Sequence, residues 1–338
     1  MRIFVIGAGL AGLAAADALR REGVEVVVVE ARARVGGRVW SAPFAGGVAE
    51  RGAEFVFAGD EVLQATARRL GLQLYRKGTH YGDREPRGGP VVSAAELEDA
   101  VRRLAEVAVD GTVLDAIASL RLPSGAAEAI AARVEVSSGY PAGDLDATVL
   151  AETGAGFGRF DTFGIEGGNS RLAEALAVPL GPALLLDTAV ERVAWDERSV
   201  RVGSPGLELW ADGAVIAIPA PAAAALRYEP PLPAPKARAL AGVRYGQAAK
   251  LHVPLTAPVE PSAVLAVPAR YWCYTQLAPD GSPAPFLASF AGTPDALERL
   301  RVWAGPATWL GAVSALRPEL QLDSAEPLLT TWHDDPWT

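Results

Sequence analysis

One cysteine, Cys273, stands in a chain of 338 residues. A lone thiol excludes an internal disulfide, fits a reducing compartment and is expected in the core. Histidine is nearly as scarce, at three, and no spacing of His with Cys could surround a metal, so no metal site is expected. Lysine occurs only at Lys77, Lys236 and Lys250 among 31 basic residues. The formal charge of −9 argues against a nucleic-acid partner, because a phosphate backbone demands basic patches. No apolar run approaches the ~18 residues of a membrane span. Strand-forming residues begin at position 2 and leave no room for a signal peptide. A cytoplasmic chain is expected, with half its residues apolar and a length that suits two domains.

What is present is concentrated at the front. Arg2 to Ile6 suits a buried parallel strand, and Gly7-Ala8-Gly9-Leu10-Ala11-Gly12 turns from it into a helix over Leu10 to Arg21. Gly7 permits the turn, Gly9 leaves the backbone open to a pyrophosphate, and Gly12 lets helix and strand pack closely. The exposed N–H groups and the helix dipole then face the anion. Val24 to Val29 reads as a second buried strand, closed by Glu30 near the roughly 20-residue spacing expected of an acid that holds ribose hydroxyls. A glycine-rich turn alone can join a strand to a helix for conformational reasons. The strand before, the helix after and the acid beyond decide for a dinucleotide with a free 2′-hydroxyl.

The next segment, Glu30-Ala31-Arg32-Ala33-Arg34-Val35-Gly36-Gly37-Arg38, resembles the post-strand sequence of the flavin-containing amine oxidase (monoamine oxidase-like) superfamily. The resemblance implies FAD as cofactor, with Ala31, Arg32, Gly36, Gly37 and Arg38 around the far side of its pyrophosphate. It continues through Val48 to Phe57, where it implies that Gly52 and Ala53 run beside the flavin ring and that Glu54 contacts cofactor or substrate. An ordinary surface carboxylate is the competing reading of Glu54. In Thr188 to Val193, Val190 matches a valine whose backbone lies against the adenine. In Tyr245 to Val253, Lys250 matches the family lysine that holds a water near the flavin N5, and burial would favour its neutral form. A solvated strand face is the alternative for Lys250. His252, two residues on, would share its face. Trp332 resembles the family tryptophan where the chain turns back toward the flavin.

The implied fold class is α/β: a Rossmann-like FAD-binding domain, residues 1–57 and 163–228, interrupted by a mixed α+β substrate domain, residues 58–162 and 229–338. Residues 60–155 show helical periodicity and no clear strand pairs. Val62, Leu63, Ala67 and Leu70 form one apolar face ended by Gly71, and the capping box Ser93 to Glu96 precedes Leu97, Val101, Leu104 and Ala108. Four strand-like segments follow a helix at Arg171 to Val178, the last running from Leu207 to Pro219. The proline-rich Pro230 to Pro235 marks the return to the substrate domain. Further strands are expected at Tyr245–Val253, Pro285–Phe290 and Leu328–His333, with a capped helix opening at Thr293-Pro294-Asp295.

The implied function is that of an FAD-dependent oxidoreductase. A neutral amine gives a hydride to flavin N5, the resulting imine hydrolyses, and oxygen reoxidises the flavin. Two other readings stay open. A flavin desaturase or protoporphyrinogen oxidase-like enzyme, acting on carbon–carbon bonds, shares the front fingerprint. A truncated, inactive FAD-binding fragment is the other, because relatives continue past Asp334-Asp335-Pro336-Trp337-Thr338 into an Ala-Gly-Glu type segment and a final helix. Covalent flavin attachment has no support, since Cys273 is not at the position that carries it.

Overall fold

The computed structural model describes residues 1–79, 81–106, 110–150 and 160–338. Its first layer grows from the front of the chain. The apolar strand β1 (Arg2–Ile6) enters the glycine turn, helix α1 (Leu10–Arg21) leaves it, and β2 (Glu25–Val29) lies parallel to β1. Gly213–Ile216 pairs with the other edge of β1 and Leu184–Leu185 with the other edge of β2, giving a four-stranded parallel sheet. One face of this sheet buries Val5, Val26 and Val28 against Leu13 and Ala16 of α1 and against Leu172, Ala173 and Leu176 of the helix Ser170–Ala177. The other face places Phe4 and Ile6 on Val193, Val202 and Ala211 of a second four-stranded sheet. Side chains alternate across a strand, so β1 supplies both layers.

The remaining large sheet has six strands, in the order Leu328–Thr331, Ala249–Pro254, Phe286–Ala291, Tyr271–Thr275, Ser262–Ala266 and Glu85–Arg87. Leu251, Val253, Tyr271 and Cys273 face one core with Trp309, Val313 and Leu297. Leu265, Trp272 and Tyr274 face the other, beneath Ala129, Ala132 and Val136 of the helix Ser124–Ser138. Both faces are covered, and Ala249–Val253 is continuously buried. Cys273 is fully buried, as expected of a lone thiol, and burial pushes it up to about 11.

The structure redraws two sequence expectations. The stretch read as wholly helical contributes Leu74–Arg76, paired with Thr162–Ile165, and the edge strand Glu85–Arg87. Each spans three residues, too short for alternation to register, and Pro86 withholds a donor from the ladder. The single strand expected over Leu207 to Pro219 divides into Leu207–Ala211 and Gly213–Ile216, which join different sheets. Asp212 is the pivot: its N–H donates to Arg2 O at 2.9 Å and its Oδ2 accepts from Arg2 N at 2.7 Å. The proline-rich stretch opens a helix, Ala234–Gly242, with Pro235 in its first turn, where the missing N–H costs nothing.

Elsewhere the local signals hold. Ser93 and Glu96 form a reciprocal capping box on the helix Ala94–Ala105, Gly71 adopts φ +73°, and the Thr293 hydroxyl accepts from Ala296 N at 3.2 Å. Ala108 lies outside the described residues.

Gly12 carries the tightest contact of the first turn. A Cβ there would stand 1.9 Å from Gly7 O, a backbone atom that cannot give way. Gly12→Ala is expected to lose about 1–3 kcal/mol of stability. Gly59→Ala, where a Cβ meets nothing within 4 Å, should stay within about 0.5 kcal/mol of the parent. Urea unfolding of the two variants checks this, and equal midpoints would remove the close-packing role of Gly12.

Candidate FAD-binding and active site

A cavity of about 530 Å³ opens at the carboxyl ends of β1 and β2, within the roughly 300–1,000 Å³ usual for small-molecule sites. It is lined by Gly7, Gly9, Leu10, Ala11, Glu30, Ala31, Arg32, Gly36, Gly37, Arg38 and Val190, which lie scattered over the first 190 residues. Helix α1 starts at Gly9 without a side-chain cap or an acidic residue in its first turn, so its leading N–H groups are free for an anion. A Cβ on Gly9 would meet nothing within 4 Å; the absent side chain leaves a cradle. Opposite, Gly36 N donates to Ala8 O at 2.8 Å, and a Cβ on Gly37 would come within 3.3 Å of Gly9 Cα. The two glycine-rich loops meet backbone to backbone, with space for a diphosphate at the helix end. These groups fit the adenine-linked diphosphate of FAD.

Ala8 and Gly12 stand behind the lining. Ala8 N donates to Glu30 Oε2 at 2.7 Å, and Arg32 N donates to Glu30 Oε1 at 2.9 Å. The buried carboxylate of Glu30 is thus fixed by two backbone donors, and each oxygen keeps a lone pair for a ribose hydroxyl. Arg32 lines the cavity, but its guanidinium pairs with Asp335. The wall also includes Thr188, Ile218, Tyr245 and Trp337, which had no signal in the sequence. Arg38 lies 5.1 Å over the Tyr245 ring.

Gly52, Ala53, Glu54 and Lys250 are not part of this lining; they form an adjoining cluster. Ala53 N donates to Arg38 O at 3.0 Å, and a Cβ on Gly52 would lie 2.0 Å from the same oxygen, so this loop is pressed against the cavity wall. Lys250 Nζ donates to Glu50 O at 2.5 Å, Gly52 O at 3.1 Å and Glu54 Oε2 at 2.5 Å, which commits all three of its protons. Glu54 is buried, not a surface carboxylate, and its other oxygen accepts from Lys77 Nζ at 2.6 Å. From the sequence Glu54 is expected at cofactor or substrate and Lys250 beside a water; the structure pairs these two side chains with each other.

Burial alone would push the Glu54 carboxyl up, but the ammonium groups of Lys250 and Lys77 outweigh it and hold it well below the usual carboxylate range. Burial opposes the Lys77 charge, and Glu54 with Tyr75 and Glu50 more than restores it, above the ordinary lysine value. Glu50, desolvated and beside Glu54, is pushed up despite the field of Lys77. Lys77, missed in the sequence, had one available signal: it is one of three lysines in an arginine-rich chain.

His252 shares the face of Lys250 as expected, packed edge-on against Phe44 and Phe286 at 6.0 and 5.7 Å. Neither ring nitrogen has a hydrogen-bond partner among the described residues. Burial, followed by the neighbouring Lys250, pushes its pKa down to about 3. Among the described residues no group of His, Cys, Asp and Glu could hold a metal, and no helix is long and apolar enough to cross a membrane. Trp332 Nε1 donates to Arg51 O at 2.8 Å, tying that strand end to the Gly52 loop.

A parallel sheet with a glycine turn, an acid at the end of β2 and a second glycine pair defines a dinucleotide-binding α/β protein. The family model described as flavin containing amine oxidoreductase matches residues 10–338, and the chain belongs to this family of FAD-dependent oxidoreductases. It is 30% identical over 275 residues to a putative flavin-containing monoamine oxidase of Mycobacterium tuberculosis, covering 68% of this chain and 60% of the relative. To putrescine oxidase of Kocuria rosea it is 28% identical over 283 residues, covering 68% and 59%. The chain therefore spans about 60% of the length of these curated relatives. Solved structures share the fold: a putrescine oxidase variant superposes with a TM-score of 0.84 at 20% identity, covering 100% of this chain and 86% of that one. Cyclohexylamine oxidase from Brevibacterium oxydans gives 0.84 at 22%, covering 99% and 85%.

Two predictions follow the charges. Glu54→Gln leaves two buried ammonium groups around a neutral amide and should cost about 3–5 kcal/mol, measured by urea unfolding. His252 binds its proton less readily folded, at about 3, than unfolded, at 6.5. Its contribution to stability is therefore complete above about pH 6.5 and is lost as pH falls toward 3. His252→Phe should show a smaller fall in Tm than the parent between about pH 7 and about pH 4; parallel curves would remove His252 as the source.

Proposed function

We propose that this chain binds FAD non-covalently and oxidises a small amine, with oxygen as the electron acceptor. The observation that carries the reading is the cavity in which two glycine-rich loops and Glu30 converge on one helix start. Gly7, Ala8, Gly9, Leu10, Ala11 and Gly12 would hold the diphosphate, Glu30 the ribose, and Val190 the adenine side. Ala31, Arg32, Gly36, Gly37 and Arg38 would close the opposite wall, and Gly52, Ala53 and Glu54 would continue toward the ring. Bound FAD supplies a two-electron acceptor for the carbon–hydrogen bond beside a neutral amine.

The protein's own part is positioning and exclusion of water. Lys250 is fixed by three acceptors and Glu54 by two lysines, so neither can swing into solvent. Phe55 follows Glu54 directly and packs against Trp272 and Tyr274 at 6.0 and 5.5 Å, which makes the adjoining wall apolar. The names of the relatives, oxidases of monoamines and putrescine, support an amine as substrate. In the same reading the FAD-binding domain comprises residues 1–57 and 163–228, the substrate domain the remainder, and the protein works in the cytoplasm.

The test is spectroscopic. The purified chain should take up FAD, and Glu30→Ala should weaken uptake at least about tenfold through loss of charge-assisted hydrogen bonds. Anaerobic addition of putrescine, cyclohexylamine or benzylamine should bleach the bound flavin, and admitting oxygen should restore its absorbance. Bleaching only by a porphyrinogen or a carotenoid would transfer the chain to carbon–carbon chemistry. Failure to take up FAD would leave it an inactive fragment.

A further inference from the structure

Three arginines, Arg32, Arg34 and Arg38, follow Glu30 in the second glycine-rich loop, and two of them are committed. Arg32 pairs with Asp335, and Arg34, over the Trp40 ring, donates to the carbonyls of Val35 and Val39 at 3.2 and 3.3 Å. Arg38 differs: it lines the cavity, it is exposed, and its guanidinium makes neither a hydrogen bond nor an ion pair among the described residues. It follows Gly37, whose backbone abuts Gly9 at the start of α1, so it stands at the end of the cavity where the helix presents its N–H groups. A long side chain left free there would spread over many rotamers, and an arriving anion would have to order it at the full cost of that entropy.

One contact limits this freedom. The Arg38 guanidinium lies 5.1 Å from the centroid of the Tyr245 ring, within the reach of about 6 Å of a cation–π attraction. Tyr245 is half-buried, lines the same cavity and is itself fixed at both ends. Its phenolic oxygen accepts from Ala220 N at 3.1 Å, at the start of the helix Ala220–Ala225, whose flanking Pro219 and Ala222 also line the cavity. Its backbone runs into Gly246, where a Cβ would stand 2.5 Å from Gly139 O, so the loop is seated against a second element. A ring held in this way takes one face of the guanidinium and leaves the in-plane fork of N–H bonds open, the edge that matches phosphate oxygens.

We propose that Tyr245 is a positioning residue of the cofactor site: its ring holds Arg38 in the cavity, so that the guanidinium meets the FAD diphosphate already oriented. The assignment rests on the FAD-binding part of the function proposed above and is independent of the substrate oxidised.

The test is titration of FAD into the full chain, followed by quenching of the flavin fluorescence. Tyr245→Leu should weaken binding about tenfold, whereas Tyr245→Phe, which keeps the ring and loses only the phenolic oxygen, should stay within about threefold of the parent. With Arg38 already replaced, as Arg38→Met, Tyr245→Leu should bring no further loss, because the two side chains act as one unit. Thermal melting establishes that each variant is folded, and Tyr245→Gln takes the place of the leucine variant should that one not fold. FAD affinity unchanged by the loss of the ring, a loss in Tyr245→Phe as large as in Tyr245→Leu, or the same tenfold loss in the Arg38→Met background would each overturn the assignment while FAD binding stood. Failure of the parent to take up FAD would overturn both.

Discussion

The carboxylate of Glu54, held between Lys77 and Lys250, ties together the parts of this protein that chemistry would need. Lys77 comes just after a strand paired with Thr162–Ile165, Lys250 from the six-stranded sheet, and Glu54 from a loop pressed against the cofactor cavity. One anion between two cations leaves the trio with an excess positive charge, which the carbonyls of Glu50 and Gly52 help to solvate. Removing any member strands the others in a low-dielectric interior, where a lost partner costs more than a surface ion pair ever contributes. The cluster therefore specifies one arrangement of sheet and loop, and it keeps water away from a lysine that a solvent-facing strand would have left mobile.

Much of the lining of the candidate cofactor cavity was legible because its constraints are local. Gly7, Gly9 and Gly12 are demanded by a turn, an open cradle and a close contact within six residues of one another, and Glu30 closes the very next strand. Such features survive in sequence order. The second glycine pair was readable for the same reason, although its partner surface, Gly9, lies nearly thirty residues away. Val190 is the opposite case. Nothing in a valine distinguishes a cavity wall from a core position, and only the resemblance of the surrounding segments singled it out.

What stayed hidden depends on long-range pairing. Lys77 and Gln276 follow strands of two different sheets, Leu74–Arg76 and Tyr271–Thr275, while Arg84 and Trp272 meet within the six-stranded sheet; some 190 residues intervene in each pair. No periodicity encodes which lysine will face which acid. Glu54 shows this most clearly: an acid in that loop reads equally well as a surface group or as a ligand contact. The two lysines that decide between those readings enter from other elements. The three-residue strands were lost for a related reason, since a pattern of period two needs more than one repeat to be seen.

The source of positive potential in the candidate cofactor cavity also differs from a simple count of its arginines. Arg32 is paired with Asp335, and Arg34 and Arg51 lie over the Trp40 ring at 4.8 and 3.5 Å. Burial lowers the pKa of the latter two, which argues against either being an idle surface charge. Arg38, stacked on Tyr245, is the arginine of this segment that both lines the cavity and forms no ion pair among the described residues. In the proposed FAD site the attraction for a diphosphate would thus rest on the uncapped start of α1 together with Arg38. Partial charges on oriented N–H groups need no reorganisation when an anion arrives, whereas Arg32 would first have to leave the Asp335 carboxylate for the diphosphate.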